Sequence, residues 1–210
     1  MEKTKKGTSG TTKTLPNFGG VLPLILIIGG IIGLICSAIL TYDHNKIAAN
    51  PSYVPSCNLN PIIACGNVIK SKQAAAFQFP NPYIGLVAFP MVVTTGIAML
   101  AGGLFKRWFW RFFELGPLLG MVFIHWLFFE TVYRIHALCP YCMVVWVVTI
   151  TTFWYTTLYN IQTGNIPIKA SWRTLRNFLV RHHLDILILW LLLIMALILK
   201  HFWYYYGKHI

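Results

Sequence analysis

Two pairs of cysteines carry the chemistry that this sequence offers. Cys57 and Cys65 have seven residues between them, and Cys139 and Cys142 form a CxxC within Leu138-Cys139-Pro140-Tyr141-Cys142. On the first turn of a helix this spacing brings two sulfurs within disulfide reach. The unpaired N–H groups and dipole of the helix end then favour a thiolate, which is the form that attacks disulfides. Pro140 suits a helix start, where its missing N–H is not required. Three chemistries are open for the four thiols: two structural disulfides, a four-cysteine zinc site, or a relay in which one pair reduces the other. A gap of seven residues is atypical for zinc, and a structural disulfide gains little at a helix tip, so the relay is favoured. The fifth cysteine, Cys36, lies inside an apolar block and reads as a buried, inert thiol.

The elements that must position these thiols are membrane spans. Of 210 residues, 57% are hydrophobic and only 10% charged, far below the quarter or so usual in soluble domains. The apolar residues come in blocks long enough to cross a bilayer. Five spans are expected, at about residues 18–42, 83–104, 115–132, 138–158 and 184–202. Residues 1–17, with four lysines and many Thr, Gly and Ser, read as a disordered tail. The first span reads as a retained anchor rather than a signal peptide, and its Gly29, Gly30 and Gly33 would admit a closely packed neighbour. Residues 43–82 form the long polar connection that holds Cys57 and Cys65. Within it, Ile62, Ile63, Val68 and Ile69 suggest one apolar face of a short interfacial helix. The segment Phe105-Lys106-Arg107-Trp108-Phe109-Trp110-Arg111 is basic and aromatic, as at a headgroup boundary.

A net charge of +12 would suit nucleic acid, but the basic residues form no stripe or recognition motif. They mark topology instead. Eleven of the 17 Lys and Arg residues fall in the N-terminal tail, the 105–113 turn and the 162–183 connection, which the positive-inside rule assigns to the cytoplasm. The loop cysteines and the CxxC then share the outer face. A relay also needs an acceptor for its electrons. No dinucleotide fingerprint, haem-attachment motif or iron–sulfur spacing is present, and a CxxC at the head of a span is placed to meet a lipid-soluble quinone.

In its ordered set of Cys57, Cys65, Ser71, Asn81, Cys139 and Cys142, the chain resembles the vitamin K epoxide reductase (VKOR) family over about residues 18–160. The strings PSCNLNPIIACGNVIKSKQAAAFQFPNPYIGL and ALCPYCMVVW look most like its bacterial branch without a fused thioredoxin domain. The resemblance implies an all-α integral membrane protein, with a four-helix bundle around a quinone pocket and, here, a fifth transmembrane helix outside the resemblance. By the same resemblance, Cys142 is the thiol that reacts with a membrane quinone, either ubiquinone or menaquinone, and Cys139 is its partner. Cys139 exchanges with Cys65, and Cys57 receives electrons from a DsbA-type thioredoxin-fold protein. Asn81 would hydrogen-bond a quinone carbonyl, with a helix cap as the alternative. Ser71 lies nearby. Trp146 occupies the position where vertebrate members have a tyrosine contact. The organisation implied is a cytoplasmic tail (1–17), a catalytic bundle (18–160, outer loop 43–82), and a basic connection with the fifth span (161–210), in a bacterial inner membrane. Epoxide reduction is not carried over.

Other residues are weighed more plainly. Glu130 is expected to pair with Arg134 at i+4. His125, as an intramembrane ionisable group, is a functional candidate by default. His136 sits three residues before Cys139, where it could favour a thiolate. Asp43 and His44 cap the first span, and Asp43 is in reach of fixing the loop. The rival in another class is a non-catalytic membrane subunit stapled by structural disulfides. Within enzymes, a DsbB-like protein would carry the CxxC pair first, and the order here is reversed. Four thiols allow three pairings, so the resting disulfide is left open.

Overall fold

The computed structural model describes residues 17–167 and 170–206. Residues 1–16, 168–169 and 207–210 lie outside them, and with them the expected tail up to residue 16 and the basic residue Lys169. Seven α-helices are described: α1 (Phe18–Ala49), α2 (Cys65–Ile69), α3 (Pro82–Leu100), α4 (Arg107–Glu130), α5 (Pro140–Gln162), α6 (Arg173–Arg181) and α7 (His183–Tyr206). Five of them are long and apolar enough to cross a membrane, with the third span continuing through Thr131–Ile135. Among the described residues there is no strand, only isolated bridges.

Helix α1 is the central member, packed against both α3 and α5. Its glycines explain how. A Cβ on Gly30 would strike Val93 and the Phe89 carbonyl of α3, one on Gly33 would strike the Phe89 ring, and one on Gly29 would touch Val148 of α5. Gly96 of α3 returns the contact against Pro23 and Leu26. Lipid tails are as apolar as leucine, so close backbone approach supplies what the hydrophobic effect cannot. The glycine triplet therefore does what the sequence suggests.

Several boundaries differ from expectation, each for a local reason. Helix α1 runs on to Ala49, seven residues past the expected span end. At 1.5 Å per residue its 32 residues reach about 48 Å, more than the roughly 30 Å hydrocarbon core, and its last turns carry Ile47 into the buried cluster that holds Cys57, Cys65 and Cys139. Helix α3 stops at Leu100 because Gly102 adopts φ +83°, with Gly103 N–H bonding the Ala98 carbonyl (2.8 Å) and Gly102 N–H that of Met99 (3.1 Å). That is the glycine-dependent helix stop. Helix α4 begins at Arg107, so the basic and aromatic residues read as a turn form its first turns. Residues 131–135 are one turn of π-helix, ending at His136 with φ +56°.

Helix α7 is fastened at three depths. Trp154 Nε1 donates to the His183 carbonyl (2.9 Å) and Tyr155 bonds His183 Nδ1 (3.1 Å) at one end. Trp190 Nε1 donates to His125 Nε2 (3.1 Å) in the middle. His201 Nε2 meets His136 Nδ1 (3.0 Å) at the cysteine end. His125 Nδ1 bonds the Met121 carbonyl (2.8 Å), so this ring carries its proton on Nδ1, accepts on Nε2 and is fully satisfied. His125 thus ties the fifth span to the bundle. Gly33→Leu should destabilise the protein by about 1–3 kcal/mol through overpacking, read as a lower unfolding midpoint in detergent. Gly20→Leu, where a Cβ meets nothing within 4 Å, should leave the midpoint near that of the wild type.

Candidate functional site

The 50–81 loop is built on asparagine side chains. Asn60 Oδ1 accepts from the N–H groups of Ile62 (2.9 Å) and Ile63 (2.6 Å). Asn58 Oδ1 accepts from Gly66 N–H (2.9 Å), a donor left open at the start of α2. Between them the chain is extended, with Asn58 bridged to Ala64 and Ile63 bridged in parallel to Leu138. Leu138 N–H donates to the Ile62 carbonyl (2.7 Å), and Ala64 N–H donates to the Leu138 carbonyl (2.9 Å). Ile62 and Ile63 therefore belong to no helix; α2 starts only at Cys65. Their backbone groups are used by the segment before the CxxC, a partner that local periodicity cannot reveal.

This bridge brings the two cysteine pairs together. Cys57 and Cys65 are joined in a disulfide with Cα atoms 5.7 Å apart. Cys139 and Cys142 are free thiols, as is the buried Cys36. Cys57, Cys65 and Cys139 share one buried cluster with Leu40, Ile47 and Ile69, and Cys142 packs at its margin. Cys139 is the N-cap of α5, and its sulfur accepts from the Cys142 N–H at 3.4 Å. The Cys142 thiol donates to the same sulfur and holds the Cys139 thiol below its ordinary range, against the opposing push of burial. Cys139 thus sits just ahead of the fourth span as the more acidic thiol, facing the loop disulfide.

Cys142 faces the other way, into a cavity of about 1060 Å³. The cavity runs between α3 and α4 from Cys142 and the loop to Phe105 and Phe112 at the opposite end of the bundle, and its walls are almost wholly apolar. Trp146, one turn below Cys142, lines it and packs edge-on against Phe128 at 5.6 Å. Ser71 and Asn81 line its cysteine end. Both also fold the loop that covers it. Ser71 Oγ donates to the Val68 carbonyl (2.7 Å), Asn81 Nδ2 donates to the Gln73 carbonyl (2.7 Å), and Asn81 Oδ1 accepts from Ala76 N–H (3.1 Å). The Asn81 side chain does not cap α3, although it stands at the cap position. One of its two amide hydrogens goes to the Gln73 carbonyl.

Residues 24–157 match the family model described as Vitamin K epoxide reductase family. The chain belongs to this family. No curated protein matches it. The match covers the four spans, the disulfide loop and the CxxC, and ends before α6 and α7. Membership makes the chain a multi-pass membrane protein of a thiol–disulfide oxidoreductase family that works with quinones.

Two polar constellations around this VKOR-family site were differently legible. Glu130 is 3% exposed and pairs with Arg134 (3.2 Å), as its i+4 spacing predicts, and it also accepts from Gln73 Nε2 (3.0 Å), which anchors the loop to α4. Glu114 is a site residue that hydropathy blocks do not single out. It is buried in α4, accepting from Thr157 and from Asn160 Nδ2 (2.8 Å) of α5. Asn165 Nδ2 then donates to Asn160 Oδ1 (3.0 Å), and Arg111 Nε donates to the Asn165 carbonyl (2.7 Å). Placing the span start at residue 115 hid it. The available signal was a carboxylate within a turn of a span opposite a Thr157-x-x-Asn160 face.

Cys142→Ala removes the donor that holds Cys139 low, so the Cys139 pKa should rise. Thiolate absorbance titrated in a Cys36→Ala background would show the upward displacement. Glu130→Ala should free Gln73 and speed amide exchange across 71–76, while exchange in α1 and α5 stays slow.

Proposed function

We propose that this protein is a thiol–quinone oxidoreductase that reoxidises a DsbA-type thioredoxin-fold protein and so supports disulfide formation in exported proteins. The observation that carries the reading is the continuous path from the loop disulfide, through Cys139 in the same buried cluster, to Cys142 at the wall of an apolar cavity. In a structure with only disulfide staples, two adjacent free thiols at a helix tip would have no use. The cavity fits a prenylated quinone in its apolar lining, in its length along the bundle, and in the polar groups confined mostly to the cysteine end.

In the proposed cycle the partner's thiolate attacks Cys57, and Cys65 departs as a thiolate. Cys65 attacks Cys139 of the oxidised CxxC pair, and Cys142 departs facing the cavity. The partner's second thiol then releases its disulfide, and re-formation of Cys57–Cys65 leaves Cys139 and Cys142 reduced. A bound quinone supplies a two-electron, two-proton acceptor. Asn81 offers its remaining amide hydrogen toward the cavity, where a donor stabilises charge developing on an oxygen. Ser71 and Trp146 complete the wall beside Cys142. The charge pattern supports a cytoplasmic N-terminus with the cysteine end outside, and the sequence resemblance supports a bacterial inner membrane. Either ubiquinone or menaquinone suits the lining.

Purified protein should oxidise a reduced DsbA-type protein in the presence of a soluble ubiquinone or menaquinone analogue, and Cys142→Ala should abolish the activity. Absence of turnover with both quinone classes, with the thiols inert to mild dithiol, would instead leave a disulfide-stapled membrane subunit.

A further inference from the structure

Asp43 is a buried carboxylate at the redox centre that the relay above does not use. It lies near the outer end of α1 and is 4% exposed. Its Oδ1 accepts from the Tyr53 hydroxyl at 3.1 Å, and its Oδ2 lies 3.9 Å from Cys57 Sγ. Among the described residues it takes part in no ion pair. Lys46, one turn further along α1, lies over the Tyr42 ring at 5.4 Å instead, and His44 lines the cavity. The groups that face Asp43 are thus Tyr53 and Cys57, with Cys139 close enough to feel its charge.

A carboxylate buried without a cation is costly. Here the cost is only half met, because a disulfide sulfur has no proton to give. Oδ2 gains a true donor only when Cys57 becomes a thiol. The contact is therefore complementary to a reduced Cys57, a species that exists only while the relay is turning over. The redox state on display, with Cys57–Cys65 closed and Cys139 and Cys142 free, is the product of the step that consumes that thiol.

We propose that Asp43 is the general base that deprotonates Cys57 when the loop disulfide is re-formed. This rests on the relay described above. At that point Cys57 has been released by the partner and carries a proton, because an ordinary thiol titrates above neutral pH; Cys65 is bonded to Cys139. The Cys57 proton passes to Asp43 Oδ2 as Cys57 Sγ attacks Cys65 Sγ. The Cys57–Cys65 bond forms, the Cys65–Cys139 bond breaks, and Cys139 takes the electron pair as a thiolate. The half-buried Tyr53 hydroxyl, bonded to the other carboxylate oxygen, leads the proton on to water at the rim. Cys139 is suited to leave, since the Cys142 thiol donates to its sulfur. Nucleophilicity rises with thiol pKa, so a base beside an ordinary thiol is a better device here than a strongly acidified Cys57.

The test uses the full chain with a reduced DsbA-type protein as donor and decylubiquinone as acceptor, sampled by acid quench and non-reducing peptide mass spectrometry. Asp43→Asn should slow turnover by about 100-fold, the lower end of general acid–base contributions. It should also accumulate a Cys65–Cys139 disulfide with Cys57 free, which the wild type does not. Asp43→Glu should restore turnover to within about tenfold of wild type. Turnover near wild type in Asp43→Asn, or slowing without that disulfide, overturns the assignment. Electron transfer from dithiothreitol to the quinone through Cys139 and Cys142 reports whether the bundle has survived. If Asp43→Asn fails that control, Asp43→Glu decides: turnover supports the base, and accumulated Cys65–Cys139 overturns it. A wild type without quinone-dependent oxidation of the donor sinks the relay itself and this step with it.

Discussion

Two backbone hydrogen bonds organise the chemistry of this protein. Leu138 gives its N–H to Ile62 and accepts from Ala64, which seats the loop on the segment that leads into the CxxC. Each bond is worth only about 1 kcal/mol net, but together they fix a register. With that register, Cys65 starts α2 and Cys139 caps α5 in one dry cluster. Shifted by one residue, the extended stretch would turn Ile62 out and Ile63 in, and the disulfide would move away from Cys139. The asparagine bonds of Asn58 and Asn60 hold the same register from the loop side.

The membrane imposes the second constraint. A loop that covers an apolar cavity must satisfy its own polar groups, because an apolar wall supplies no partners. Ser71, Gln73 and Asn81 meet that demand by bonding the loop backbone and Glu130. The same residues stand around the cysteine end of the cavity, so covering the site and furnishing it with polar contacts are one arrangement. At the far end, the Glu114–Thr157–Asn160 network joins α4 to α5, where no apolar contact could choose a register in lipid. Helix α7 follows similar logic: its Trp190 and His201 bond His125 and His136, and its own His183 is bonded by Trp154 and Tyr155 of α5.

The four cysteines around the site differ in environment. The loop pair is closed as a disulfide in the buried cluster under the loop. Cys139 is buried, capping and acidified by its neighbour, and Cys142 opens toward the apolar space. In the proposed relay, electrons moving along this line would pass from a watery to an oily phase without the quinone leaving the bilayer or the donor entering it.

Much of this was legible in the sequence. Hydropathy blocks fixed five spans because a bilayer admits only long apolar helices. The cysteine spacing and the ordered set around Ser71 and Asn81 pointed to the family that the profile match establishes. The Gly29, Gly30 and Gly33 packing and the Glu130–Arg134 pair also followed from local spacing. Tertiary structure decided what depends on distant partners. It chose Cys57–Cys65 among the pairings, took Ile62 and Ile63 out of a helix, set Glu114 opposite Asn160, satisfied His125 with Trp190, and aimed Asp43 at Cys57. Periodicity is a property of neighbours three or four residues apart, whereas these contacts join residues from 8 to 76 positions apart, and only the folded chain brings them together.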